Sequence, residues 1–169
     1  MVRLGFNRVS LYPNSGIVYE NHGGIVEFNG VCNIGNASAI SIGNKGCLKF
    51  GRHFDATTSF RVACYHNIQF GADVLVGWDC TFLDTDFHKL QQMTRRGFGS
   101  IVVGDNVWLT QRCIVLKNTV VSNGCVIAPG SSTNRHYEEQ NCLLAGSPAK
   151  IVLRGVCRNP QNDELNYDD

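Results

Sequence analysis

A period of six residues constrains this chain more than any other feature. It runs through five consecutive units from Val103, namely VGDNVW, LTQRCI, VLKNTV, VSNGCV and IAPGSS. An aliphatic residue opens each unit, at Val103, Leu109, Val115, Val121 and Ile127. A mostly compact residue stands fifth, at Val107, Cys113, Thr119, Cys125 and Ser131. An α-helix of about 3.6 residues per turn cannot keep such a face in phase. In a strand side chains alternate, so a six-residue step returns the same face inward after each short strand and corner. Three such sides close one triangular coil, and stacked coils bury a continuous apolar column while covering one another's strand edges.

The same step runs through Phe70, Val76 and Phe82, and earlier through Phe28 and Ile34. An apolar-x-apolar-Gly signature recurs as ISIG at 40–43, LKFG at 48–51, IQFG at 68–71 and IVVG at 101–104. Its glycines are expected to mark corners that need a positive φ. Before Ile25 the pattern frays. The 169 residues therefore read as one all-β domain. Residues 1–24 form a lead-in or cap, 25–145 a parallel β-helix of about six triangular coils, and 146–169 a short C-terminal extension with a loosely held polar tail, QNDELNYDD. The repeat does not reveal handedness, and parallel crossovers in general favour the right hand.

Composition removes several classes of function. Fifteen Lys and Arg against fourteen Asp and Glu leave a formal charge of +1, without the basic field that nucleic-acid binding requires. No stretch approaches the roughly twenty apolar residues of a membrane-spanning helix. The N-terminus lacks the pattern of an export signal, so a cytoplasmic location is expected. The eight cysteines contain no C-x-x-C pair and read as reduced thiols filling the core.

The lattice breaks at one place. After Phe70, Val76 and Phe82 the inward position falls on His88, and after Val74 and Cys80 the compact position falls on Asp86. Counting onward gives no aliphatic at Thr94 or Ser100, and the repeat resumes in a new phase at Val103. Residues 89–100, KLQQMTRRGFGS, are therefore a loop ejected from one corner. A loop on a rigid scaffold is a natural seat for function. Histidine is suited to general base catalysis near neutral pH, which makes His88 the candidate base. Asp84 or Asp86 is the carboxylate expected to orient the imidazole, and the sequence does not choose between them.

The array followed by AGSPAKIVLR at 145–154 resembles the C-terminal signature of the hexapeptide-repeat superfamily, the left-handed β-helix acyltransferases. GDNVW at 104–108, the VLKNTV and IAPGS units, and GSPAK at 146–150 stand in that family's order. GWDCTFLDTDFHKL at 77–90 is similar to a segment of sugar and capsular-polysaccharide O-acetyltransferases related to the maltose and galactoside acetyltransferases. The resemblance covers roughly residues 25 to 155. It implies left-handedness, a homotrimer with active sites between neighbouring subunits, acetyl-CoA as donor, and direct transfer without metal or a cysteine nucleophile. It places Trp108 near His88, and Trp108 and Phe87 become candidate walls of the acceptor pocket. For the donor, Lys150, Arg135 and Arg154 are suited to CoA phosphates, while Ala128 and Gly146 leave room for pantetheine beside the wall.

The chain departs from the family at Leu109-Thr110 and at Thr133-Asn134-Arg135-His136-Tyr137, the latter in a region that borders the donor. N-acetylation of an aminosugar and a non-catalytic β-helix for assembly or binding are the alternatives. Carbonic anhydrases that share the fold hold zinc through three histidines, and His53, His66 and His88 lack the paired short spacing such a site needs.

Overall fold

The computed structural model describes residues 1–89, 91, 94–162 and 165. Leu90, Gln92 and Met93 of the expected loop, and most of the expected tail, lie outside the described residues. Short strands visit three sheets in rotation. The first sheet takes Val2–Phe6, Cys32–Gly35, Phe54–Ala56, Leu75–Val76, Trp108–Leu109, Val126–Ile127 and Cys142–Gly146. The second takes Ile17–Asn21, Ser38–Ile42, Arg61–Cys64, Thr81–Leu83, Ile114–Leu116 and Ser132–Thr133. The third takes Ile25–Phe28, Cys47–Phe50, Asn67–Phe70, Ile101–Val103, Thr119–Val121 and His136–Tyr137. These strands pair in parallel with the coils on either side, Phe82 for example lying between Val62 and Val115. Six strands in each of the second and third sheets correspond to about six coils. The first sheet gains a further strand because Ala149–Arg154 turns back antiparallel on Cys142–Gly146.

The repeat positions are the core. Val103, Leu109, Val115, Val121 and Ile127 are at most 1 % exposed, and so are the fifth positions from Val107 to Ser131. Upstream the same column is built from aromatic rings. Phe28, Phe50 and Phe70 stack face to face at 5.2 and 5.5 Å up the third sheet. Phe54, Phe60 and Phe82 close around them at steep angles, as ring quadrupoles prefer. Six of the eight free cysteines are buried in this column. Burial pushes the Cys32 and Cys64 thiols up to about 12, so they remain protonated.

Residues 1–24 contribute Val2–Phe6 and Ile17–Asn21 to the first coil. Their repeat frays because no further coil covers them, and Val2, Leu4 and Val18 stay exposed. Between these strands, Arg8 pairs with Asp55 and the Tyr12 hydroxyl donates to Asp79, strapping the segment across later coils. Among the described residues no helix is long and apolar enough to cross a membrane.

The corner glycines differ from expectation. None of Gly43, Gly51, Gly71 and Gly104 has a positive φ; the left-handed corner conformation falls to residues such as Asp73, Asn106 and Asn118, at 58°, 53° and 64°. These glycines supply closeness instead. A Cβ on Gly51 would lie 2.2 Å from the Gly71 carbonyl oxygen, and one on Gly71 would lie 2.6 Å from the Gly104 carbonyl carbon. Coils stacked at a strand spacing of about 4.8 Å leave no room for it. Gly71→Ala should therefore destabilise the protein by about 1–3 kcal/mol in urea unfolding, the scale of overpacking. A gain in stability, the usual result of Gly→Ala where φ is compatible, would refute the close-packing role.

Candidate active site

The expected break lies at the corner between the second and third sheets, after Thr81–Leu83 and before Ile101–Val103. Asp84 roots it. This residue is wholly buried, and its carboxylate accepts the N–H groups of Tyr65, His66 and Asn67 at 2.8, 2.7 and 2.8 Å. Those amides belong to the same corner of the preceding coil, so a buried charge and a turn of the backbone satisfy each other. The chain then leaves the solenoid. Thr85 bridges Phe98 in antiparallel fashion, the Asp86 N–H donates to the Gly97 carbonyl at 2.6 Å, and the Gly99 N–H donates to the Asp84 carbonyl at 3.0 Å. The protruding segment thus runs from 86 to 97 rather than from 89 to 100, and His88 stands on the loop itself.

A tight turn presents the imidazole. Phe87 takes φ 58°, its N–H donates to the Thr85 hydroxyl at 3.1 Å, and the His88 N–H donates to the Asp86 carbonyl at 2.7 Å. Phe87 rests edge-on against Tyr65, and Phe98 packs against His66, so two aromatic contacts brace the neck. His88 is exposed at a cleft of about 340 Å³ that it lines with Asp86, Lys89, Arg95, Arg96 and Phe98. The Asp86 carboxylate accepts Lys117 Nζ through both oxygens, at 2.9 and 2.7 Å.

The direct orienting contact expected of the carboxylates is not formed here. Among the described residues neither Asp84 nor Asp86 is hydrogen-bonded to the His88 ring, because three amides occupy the first and Lys117 the second. Lys117 was not singled out from the sequence. Its signal is the register: Leu83 pairs with Leu116, which brings the residue after Leu116 to the root of the loop.

The remaining candidate residues divide between two corners. Trp108 is half-buried on the first sheet, where it lines an apolar cleft of about 400 Å³ with Trp78, Thr110, Gln111 and Pro129 at the corner with the second sheet. Ala128 and Gly146 follow along this side of the stack. The Ala128 N–H donates to the Leu144 carbonyl at 2.8 Å, and the Gly146 N–H, at φ 106°, donates to the Ser131 hydroxyl at 3.1 Å. Lys150 is exposed opposite Ala145 on the returning strand. Arg154 is engaged by Glu139 at 2.9 and 3.1 Å. Arg135 is exposed at the other corner, between the second and third sheets, in the coil above Lys117. Within one chain, Trp108 and His88 do not share a cleft. Of the other histidines weighed for zinc, His53 bonds Asp73 at 3.1 Å and His66 packs on Phe98. No cluster of three metal-ligating side chains occurs among the described residues.

No protein-family model matches the chain. It is 27 % identical over 154 residues, 90 % of its length and 69 % of the relative's, to an uncharacterized 24.8 kDa protein in the cps region of Klebsiella pneumoniae. It is 22 % identical over 148 residues, 80 % of its length and 75 % of the relative's, to the putative lipopolysaccharide biosynthesis O-acetyl transferase WbbJ of Escherichia coli K12. Among solved structures it matches the polysialic acid O-acetyltransferase OatWY with a TM-score of 0.57 and 19 % identity, over 92 % of this chain and 74 % of that one. The chain is thus similar in sequence and in fold to O-acetyltransferases. The structural likeness shows the fold, the left-handed parallel β-helix that the resemblance implied.

Asp84 connects this fold to the loop, and its removal should be felt in stability. Asp84→Ala strips three part-buried amides of their acceptor, each unmet group costing about 1–3 kcal/mol. A loss of about 3 kcal/mol or more in chemical denaturation is expected, with new protease cleavage between residues 86 and 97. An unchanged unfolding midpoint would show that the loop is rooted otherwise.

Proposed function

We propose that this protein is an acetyl-CoA-dependent O-acetyltransferase that acylates a hydroxyl of a sugar or glycan precursor, with His88 as general base. The observation that carries the reading is the loop ejected between the second and third sheets of a solenoid similar to O-acetyltransferases, holding an exposed imidazole at the lip of a cleft. The acceptor oxygen attacks the thioester carbonyl as its proton passes to His88. The new C–O bond forms, the C–S bond breaks, and the proton returns to the departing thiolate. Asp86 and Lys117 act as positioning residues. Their ion pair ties the loop to the next coil, and the Asp86 carbonyl holds the His88 amide. Lys150 is the cation offered to CoA phosphates, and Ala128 and Gly146 the small residues beside pantetheine, whereas Arg135 stands at the corner that bears the His88 loop. Arg154 is less available because Glu139 already holds it. Use of acetyl-CoA sets the reaction in the cytoplasm.

A homotrimer accounts for the separation of the two clefts. The outer face of the second sheet carries an apolar strip, with Val18, Ala39, Ala63 and Leu83 lining a hollow of about 350 Å³ that Glu20, Ser41, Arg61 and Thr81 share, and Ile114 44 % exposed above it. Three prisms with this face turned toward a threefold axis set one edge of each against the opposite edge of its neighbour. The His88 cleft of one subunit then meets the Trp78 and Trp108 cleft of the next, and Phe87 lies between them.

Two outcomes test this. His88→Ala should keep the fold and assembly while thiol release from acetyl-CoA in the presence of sugar acceptors falls by roughly a hundredfold or more. Near-normal turnover would remove His88 from the mechanism. In the second test, His88→Ala and Trp108→Ala subunits, each impaired alone, are unfolded together and reassembled in equal amounts. If each site takes His88 and Trp108 from different subunits, about a quarter of the sites become whole and activity returns to that level. A mixture no more active than its parents, or a monomer of 18.6 kDa at full activity, contradicts the shared site.

A further inference from the structure

The electrostatics of the His88 cleft are uneven in a way that the reaction itself does not require. Lys89, Arg95 and Arg96 line it, and a second hollow of about 490 Å³ on the other side of Asp86 is lined by the same two arginines with Lys117, Asn118 and Asn134. Against these four cations stands one carboxylate, Asp86, and Lys117 already occupies both of its oxygens. Four other cations on the chain are paired, Arg8 with Asp55, Lys49 with Glu27, Arg61 with Asp79 and Arg154 with Glu139, whereas those of this cleft stand together in a concavity. Among the described residues, Arg95 and Arg96 have no carboxylate partner. A concave site with unmatched guanidinium groups concentrates a positive field, and the guanidinium fork pairs with a carboxylate or phosphate through two parallel hydrogen bonds.

We infer that the acceptor is an anionic glycan, whose carboxylate or phosphate is held by Arg95 and Arg96 while the hydroxyl to be acylated faces His88. The inference rests on the reading of His88 as the base of acyl transfer. The donor's phosphates do not explain these arginines. They lie a full pantetheine arm from the thioester, whereas Arg95 and Arg96 share a cleft with the imidazole at which the thioester must arrive.

The experiment compares sialic acid and glucuronic acid oligomers, their carboxyl-reduced neutral counterparts and phosphorylated sugars as acceptors, for the wild type and the Arg95→Gln/Arg96→Gln double variant. Binding of the sialic acid tetramer and its reduced counterpart to His88→Ala protein is measured separately by calorimetry, so recognition is read without turnover. The wild type should favour anionic over neutral acceptors by about tenfold or more in kcat/KM. The double variant should lose that preference through the acceptor's KM, and the preference should shrink as salt rises. Higher activity on carboxylates or on phosphates tells which anion the cleft takes. Equal use of charged and neutral acceptors overturns the inference and leaves acetyl transfer standing. A double variant whose defect lies in the KM for acetyl-CoA also overturns it, by giving the arginines to the donor. Calorimetric preference for the anionic tetramer without thiol release from any acceptor sustains anion recognition and removes the acetyltransferase reading. Loss of both removes the two together.

Discussion

Every coil of this protein has to lie flat on the next, because its strands are too short to satisfy their backbone groups in any other way. Leu75–Val76 is two residues long, and its neighbours above and below supply its partners: the Leu75 N–H reaches the Val107 carbonyl at 3.0 Å, and the Val74 carbonyl receives the Asp55 N–H at 3.0 Å. A constant pitch follows from that pairing, and much of the sequence is read through it. The fifth residue of each unit is compact because it turns into the narrow corner of the column. Gly51, Gly71 and Gly104 are glycines because a Cβ would strike the coil above. The aromatic stack from Phe28 to Phe70 keeps the same spacing in side chains that the backbone keeps in hydrogen bonds.

Such a stack can release a loop only where the amides left behind find other acceptors. Asp84 provides one, capping the corner of the preceding coil just as the chain departs. Lys117 provides the complementary tie from the following coil. The loop that bears His88 is thereby fixed to the scaffold on both sides, and its short neck, closed at Thr85 and Phe98, leaves the imidazole at the surface. A buried carboxylate that would otherwise be costly becomes the hinge between a repetitive structure and the loop that carries His88.

The site was partly legible in the residues themselves. The interruption at Asp86 and His88 stood out because ten lattice positions on its far side are regular, from Val103 to Ser131, and all ten are buried as read. Asp84 was legible as important and illegible in role. A carboxylate two residues before another, ahead of a histidine, suits an orienting partner as well as a backbone cap, and the deciding amides lie nearly twenty residues earlier in the chain. The arginines at 95 and 96 carried no signal against other surface charges, since being unmatched is a property of neighbours in space.

Periodicity alone determined that the chain is a stack of triangular coils, where its core lies, and where the stack is interrupted, because each of these depends on the spacing of apolar side chains along the chain. The resemblance of the motifs to those of the left-handed β-helix acyltransferases implied the left hand and the reaction class. Only the tertiary structure decided that the loop begins at residue 86, that Asp84 faces amides and Asp86 faces Lys117, and that Trp108 and His88 stand on opposite edges of the second sheet. Those facts depend on which residues of successive coils come into register at a corner. A six-residue repeat states how far the chain advances along each side, but the polar side chains that meet across coils are separated by a whole turn of sequence and follow no period.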